Sequence, residues 1–425
     1  MFKRKALKLY RKANRIEQEY GSAVADKILF ARIWYKIYIQ QKIKVMFKLH
    51  KKSKANHILF ETETDFSGNP RALYDYMIAE GYNHKYKITW IVNDPNEFRQ
   101  YKAHNVRFIR RYHPKNRFRE ANCYKAALKA RYVFFAKSFN FLETKSAGQI
   151  CVNMQLGGDW KLTSEKEREL IQFDYCLAPG KAFVKPKAKE FSCPAKKILP
   201  IGEARYRQFY SGRSEAEAFY QKLCGSHTNL KTVFWMPLYR KAVLQTWYRT
   251  GIASMTGLPL IHSIMDVPKL DEICQRAGIH LLIYCNLDME TLRKEAGDSS
   301  HISFVAEDAL READVQVYEL LPKADALLSD YASVAIDYLL LDRPIGYVLE
   351  DFEEFERANG FLFPDPLTYM PGAHIRQMED LEQFFLQIAK GEDEFKEQRA
   401  ALRAKTHNET DDYCKRILDQ FGILK

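Results

Sequence analysis

The sequence predicts an α/β protein with two Rossmann-like domains, each a mostly parallel sheet covered by helices. Three observations lead there. At 425 residues the chain exceeds one ordinary hydrophobic core. Short apolar runs alternate with longer stretches of helical spacing along most of its length, the pattern of parallel sheets. An apolar run ending at Leu328 passes straight into Ser-Asp-Tyr-Ala-Ser (329–333) and then a helical pattern, a strand-to-helix turn of the kind that holds ligands beyond the carboxyl ends of such sheets.

The elements follow in order. HILFET (57–62) reads as a strand, and NPRALYDYMIAEG (69–81) as a helix stopped by Gly81. YKITWIV (86–92) and NVRFIRR (105–111) are strands, NRFREANCYKAALKA (116–130) has helical spacing, and RYVFFAK (131–137) and QICVNMQ (149–155) are strands again. FDYCLAP (173–179) and KKILPIG (196–202) close the first series. GRSEAEAFYQKL (212–223) is a charged stretch, followed by a polar loop over 225–229 and a fresh strand, KTVFWMP (231–237), so the domain boundary is placed near residue 229. The second half repeats the style in LDEICQRAGIHLLIYC (270–285), VQVYELLPKADALLSD (315–330) and RPIGYVL (343–349), and ends in helices from about Met378. The expected division is 1–54, 55–228 and 229–425.

Charge is uneven. The chain carries +12 formally, but residues 1–54 hold sixteen Lys or Arg against Glu17, Glu19 and Asp26, a surplus of +13 that leaves the remainder near neutral at −1. Lys36, Lys42 and Lys44 interrupt every apolar stretch of that segment, so neither a transmembrane helix nor a signal peptide is expected. Basic residues mixed with Leu, Ile, Phe, Trp and Tyr suit an anionic membrane surface. A basic arm on nucleic acid and a solvated helix packed on the body are the alternatives, and nucleic acid is the least favoured. The eight cysteines form no CxxC pair and have no histidine at ligand spacing, so they read as reduced thiols rather than a zinc site.

The Ser329–Ser333 turn has two readings. Ser and Asp cap helices. A helix N-terminus with free N–H groups and hydroxyls also binds phosphate. Two arginines at strand ends, Arg205 and Arg240, have the fork geometry to clamp a phosphate, or to make ion pairs.

Four stretches in this order, FSGNPRALYDYM (66–77), GEARYRQFY (202–210), FWMPLYR (234–240) and VQVYELLPKADALLSDYASVAIDYLLLDRP (315–344), resemble the CDP-glycerol glycerophosphotransferase family of teichoic acid synthesis. The family's Ser/Thr-Asp-Tyr-Ser-Ser signature, following Asp and Arg-Pro are matched by Ser329, Asp330, Tyr331, Ser333, Asp337, Arg343 and Pro344. GFLFPDP (360–366) and MPG (370–372) resemble its later segments. The resemblance covers roughly residues 57–400. It implies a GT-B fold and a membrane-associated transferase, peripheral on the cytoplasmic face, that moves glycerol phosphate from a CDP-activated donor to a lipid-linked or polymer acceptor and releases CMP. It implies nucleotide and phosphate contacts at Ser329, Asp330, Tyr331, Ser333, Asp337, Arg343, Arg205 and Arg240, and an acceptor side at Asn69, Arg71, Gln155 and Gly157.

The chain departs from the family at two motif histidines. Gln155-Leu156-Gly157 stands in place of Trp-His-Gly, and Tyr284, Cys285 and Asn286 stand near the second. His57, His84, His113, His262, His301 and His374 fall near element ends and read as structural or solvent-facing. Asp159, beyond the Gly157-Gly158 pair, is the candidate base, with an ordinary turn role as the alternative. Glu61, Glu63 and Asp65 are further carboxylates at the end of the first strand. A nucleotide-sugar glycosyltransferase and a non-catalytic nucleotide- or acceptor-binding protein are the competing functions. No cofactor is called for; a Mg²⁺ held by phosphates and one or two carboxylates would leave little trace in sequence.

Overall fold

A computed structural model describes Val45 and residues 53–62, 65–111, 121–136, 145–155, 160–163, 168, 171–238, 256–285, 300–408 and 412–425. The basic segment 1–52 lies outside the described residues except for Val45, as do Gly157, Asp159 and Arg240.

Two parallel sheets form the architecture, which is GT-B-like. The first contains β1 (Lys54–Glu61), β2 (Lys87–Val92), β3 (Val106–Arg110), β4 (Ala130–Phe135), β5 (Ile150–Asn153), β6 (Tyr175–Leu177) and β7 (Ile198–Leu199), in the order β3-β2-β1-β4-β5-β6-β7. The second contains β8 (Lys231–Trp235), β9 (Ile279–Cys285), β10 (Ile302–Ala306), β11 (Ala326–Ser329), β12 (Ile345–Val348) and β13 (Ala373–Ile375), in the order β10-β9-β8-β11-β12-β13. Register is parallel throughout the recorded pairs, for example Phe60 with Trp90 and Ser329 with Tyr347. Such strands are covered on both faces, which explains why they read as continuous apolar runs rather than alternating ones.

The helices whose bounds fall among the described residues are, in chain order, α1 (Gly68–Ala79), α2 (Ala121–Lys129), α3 (Val184–Glu190), α4 (Ser214–Cys224), α5 (Val267–Ala277), α6 (Glu307–Glu312), α7 (Val317–Leu320), α8 (Val334–Tyr338), α9 (Phe352–Asn359), α10 (Met378–Lys390), α11 (Lys396–Thr406) and α12 (Tyr413–Gln420). Their ends follow local chemistry. α5 has Pro268 in its first turn and stops at Gly278, a left-handed cap with φ of 67°. α10 is boxed by Gln377 and Asp380 and ends at left-handed Gly391.

The described residues group into two compact units. One holds β1 to β3, α2 and most of β4. Its core stacks Phe60 on Trp90 and on Phe134 at 5.1 and 5.5 Å. The other holds α1 and everything from Val152 onward. There, α5 and α10 bury Leu270, Ile273, Cys274, Leu381, Phe384 and Phe385 against Val233, Leu281, Ile283 and Leu328 of the second sheet. A second core, on Tyr206, Phe209, Tyr318, Leu327, Tyr331 and Tyr347, fills the same unit. The eight cysteines are free and all but Cys193 are buried. Among the described residues, no helix is long and apolar enough to cross a membrane.

Candidate functional site

The turn after β11 is the first component. Ala326, Leu327 and Leu328 are fully buried, and the strand ends at Ser329. The helix expected directly after it starts later, at Val334. The intervening residues hold the loop that follows β8. Ser329 donates its hydroxyl to the Met236 carbonyl at 3.0 Å. Asp330 is buried and accepts from the Leu238 N–H at 2.9–3.0 Å and from the Ala332 N–H at 3.1 Å. Tyr331 stacks on Phe355 with ring centroids 3.9 Å apart and donates to Asp351. Ser333, half-buried at the start of α8, makes no capping contact with its side chain. It is the hydroxyl of this turn left for an outside partner. Arg343 donates to the Ala324 carbonyl at the far end of β11.

Asp337, one turn into α8, anchors a buried polar network. It accepts from Arg205, from the Tyr206 hydroxyl at 2.8 Å and from the Tyr318 hydroxyl at 2.5 Å. The Arg205 guanidinium lies 4.6 Å from the Tyr318 ring centroid, a cation–π contact, and its Nε is 3.2 Å from Glu203. Burial opposes the Arg205 charge, but Asp337, Tyr318 and Glu203 outweigh it and hold the guanidinium well above its ordinary range. Burial pushes Asp337 up, against the pull of Arg205 and the two tyrosines. It also pushes Glu203 up, to about 7. The arginine read as a phosphate clamp or an ion pair is thus, in this structure, a buried ion pair.

Asn69 extends the network. Its amide donates to Glu203 and to the Met154 carbonyl, both at 2.9 Å, and its Oδ1 accepts from the Arg205 N–H at 3.0 Å. Arg71, two residues on, pairs with Asp75 one turn later and with Asp314 at 3.0 Å. Gln155 sits in left-handed backbone, φ 58°, with its amide 2.9 Å from Cys176 Sγ. Asn69, Gln155, Glu203 and Arg205 are therefore brought together, and Arg71 is turned toward Asp314.

One pair was not legible in sequence. His262 Nε2 lies 2.7 Å from Glu350 Oε1, and Glu350 Oε2 accepts from the Leu260 N–H at 2.8 Å. Glu350 follows β12 by two residues, so this pair is at the same carboxyl edge of the sheet as Ser329. The His262 Nδ1 is enclosed and has no hydrogen-bond partner among the described residues. In the other unit, Glu61 at the end of β1 lies 3.2 Å from Arg111, whose guanidinium also reaches Asp65 at 3.3 Å. Asp65 accepts from the Asn93 N–H at 2.7 Å, so these carboxylates bind the strand ends of their own sheet rather than capping α1, whose N-cap is Ser67. Glu63 lies outside the described residues.

The model of the CDP-glycerol:poly(glycerophosphate) glycerophosphotransferase family matches residues 43–419. The chain belongs to this family. A teichoic acid glycerol-phosphate transferase of Staphylococcus aureus is 23% identical over 389 residues, covering 86% of this chain and 93% of that one. A teichoic acid ribitol-phosphate primase of Bacillus spizizenii is 25% identical over 204 residues, 47% of each chain, so the match spans about half of that relative's length. Among solved structures, the wall teichoic acid polymerase TagF superposes with a TM-score of 0.68 at 17% identity, covering 93% of this chain and 97% of that one. At that identity the likeness is one of fold. The matched range includes the Ser329–Asp337 segment.

Proposed function

We propose that this glycerophosphotransferase-family chain transfers glycerol phosphate from CDP-glycerol to a hydroxyl of a polyol-phosphate acceptor. The acceptor oxygen bonds to the phosphorus that bears the glycerol, the P–O bond to CMP breaks, and the acceptor's proton leaves to a base. Phosphoryl transfer asks the protein mainly for positioning and charge stabilisation. The observation that carries the reading is the Ser333 hydroxyl, which makes no capping bond at the start of α8 and has no partner among the described residues, in a turn held by Ser329 and Asp330. Arg240, which follows β8 in the sequence, is assigned the diphosphate charge as a strand-end arginine and on the family resemblance, and Gly157 the acceptor side.

The base is assigned to His262, supported by the Glu350 contact that orients one ring nitrogen. Asp159 is the competing base. Lipid-linked acceptors and attachment to an anionic membrane surface through residues 1–54 complete the proposal, with 55–228 as the acceptor-side domain and 229–425 as the nucleotide domain.

The test is the nucleotide product. The protein is incubated with CDP-glycerol, CDP-ribitol or UDP-sugars and a glycerol-phosphate acceptor. CMP from a CDP-polyol is the expected result. UDP release would replace the reading with glycosyl transfer, and nucleotide binding without release would make the chain a binding protein. Ser333→Ala should weaken CDP-glycerol binding. His262→Ala should lower kcat by about 10²-fold or more while leaving donor affinity intact; an unchanged kcat would return the base to Asp159.

A further inference from the structure

A cluster of cations lies at the amino ends of the first three strands of the first sheet. Lys54 opens β1, His57 pairs in register with Lys87 at the start of β2, and Arg107 is the second residue of β3. The next helix, α2, brings Lys125 and Lys129 alongside, one turn apart on one face. Arg107, Asn122, Lys125 and Lys129, with Ile109 and Ala126 as an apolar floor, line a cleft of about 280 Å³.

These cations lack acids. Among the described residues, no carboxylate lies within ion-pair distance of Lys54, Lys87, Arg107, Lys125 or Lys129; Arg107 Nε donates only to Thr89 Oγ1, at 2.8 Å. Besides burial, the groups acting on His57 are Lys54, Lys87, Arg107 and Lys129, all positive. Those acting on Lys129 are likewise Lys125, Lys54 and Arg107. Like charges one helical turn apart destabilise a helix, so five clustered cations with no counter-charge indicate a bound anion. The lysines near the end of α2 suit its dipole, but that does not account for Lys54, Lys87 and Arg107 on three strands.

The chemistry of the anion follows from the surroundings. Membrane-surface sites add exposed apolar side chains to their charge. Among the described residues the exposed large apolar side chains are Val45, Tyr210, Met265 and Leu424, none of them here. Single-stranded nucleic acid would want aromatic stacking platforms, and none is among the described residues that line the cleft. A recessed cluster of lysines and an arginine fits phosphodiester groups on a flexible chain.

We propose that this cleft binds the phosphodiester backbone of a polyol-phosphate polymer. The proposal rests on the reading above that the acceptor is such a polymer. It makes the cleft a holding site for a grown chain.

The test measures binding of a fluorescently labelled glycerol-phosphate oligomer to the full chain at low and moderate salt, beside inorganic phosphate and phosphatidylglycerol vesicles. The Arg107→Gln/Lys125→Gln/Lys129→Gln variant should bind the oligomer about tenfold more weakly and with a shallower salt dependence, from three weak contacts acting together. Lys125→Arg/Lys129→Arg should keep it. These positions are at the surface, and an unchanged melting curve confirms the fold of each variant. Equal oligomer affinity in the Gln variant overturns the proposal, and so does loss of vesicle or free-phosphate binding alone. CMP release with monomeric glycerol phosphate as acceptor is expected to be the same in both proteins. If the wild type releases no CMP, the transferase reading falls, while the oligomer titration still decides the cleft.

Discussion

Arg205 and Asp337 lie 132 positions apart in the chain and meet as a fully buried ion pair, with the Tyr318 ring against the guanidinium and the Tyr318 hydroxyl on the same carboxylate. The pair joins the strand-end loop after β7 to the helix that follows the signature turn. Its partners leave neither charge exposed, so the two residues act as one structural unit.

Breaking that unit from one side should be costly. Arg205→Met or Asp337→Leu leaves an uncompensated buried group, and each is expected to destabilise the protein by about 3–5 kcal/mol. The Arg205→Met/Asp337→Leu double variant should lose much less than the sum. Urea denaturation of the four proteins measures the coupling; additive losses would show that the two do not depend on one another.

Gly202 should not tolerate a side chain. Its φ is 84°, and a Cβ there would sit 2.4 Å from the Tyr413 ring. Gly202→Ala is expected to cost about 2 kcal/mol or more, from left-handed strain and overpacking together. Because Glu203 and Arg205 follow directly, donor affinity should fall with stability; thermal melting and nucleotide titration report the two effects.

Acid should weaken the fold through buried histidines. Burial lowers His407 to about 3 and His280 to about 4, the latter also pressed by His227 and His301. Their ordinary value is near 6.5, so the unfolded chain takes up these protons first as pH falls. The stability they contribute is complete above about 6.5 and is lost toward pH 3–4, at up to about 1.4 kcal/mol per pH unit for each group. His407→Gln should flatten the pH 7 to pH 5 difference in urea midpoint.

Glu61 acts in the opposite sense. Burial raises it to about 8 despite Arg111. The folded state therefore keeps the proton between about pH 4.5 and 8, and the stability this group contributes declines as pH rises through that window, by a few kcal/mol in all. Glu61→Gln should lose less stability than the wild type between pH 6 and pH 9. An identical pH profile in both proteins would mean that Glu61 stays ionised in the folded state.

How much of this was readable beforehand depended on distance along the chain. HILFET, YKITWIV and the run into Ser329 became strands within a few residues of their expected ends, because buried parallel strands are written as local apolar runs. β13, only three residues long, and β10, whose ISFVA follows a polar stretch, carried too little local signal. The Arg71–Asp75 pair is one helical turn apart and legible as such. His262 and Glu350 are 88 positions apart, and Tyr206 and Asp337 are 131 apart. No periodicity links residues at such separations, so sequence supplied the signature at Ser329–Ser333 but not the direction of its side chains. That is why the sequence could not name the protein partners that Ser329, Arg205 and His262 have here.

α1 has a consequence for how the protein is made. It is synthesised early, yet it belongs to the unit built mainly from later residues, and Cys414 of α12 reaches the Ala72 carbonyl across 342 positions. α1 completes its native packing only once α12 has been made, although residues 204–210, which also pack on it through Arg207 over the Tyr76 ring, are made well before. A segment that waits for so distant a partner is exposed to wrong contacts while the chain is being made.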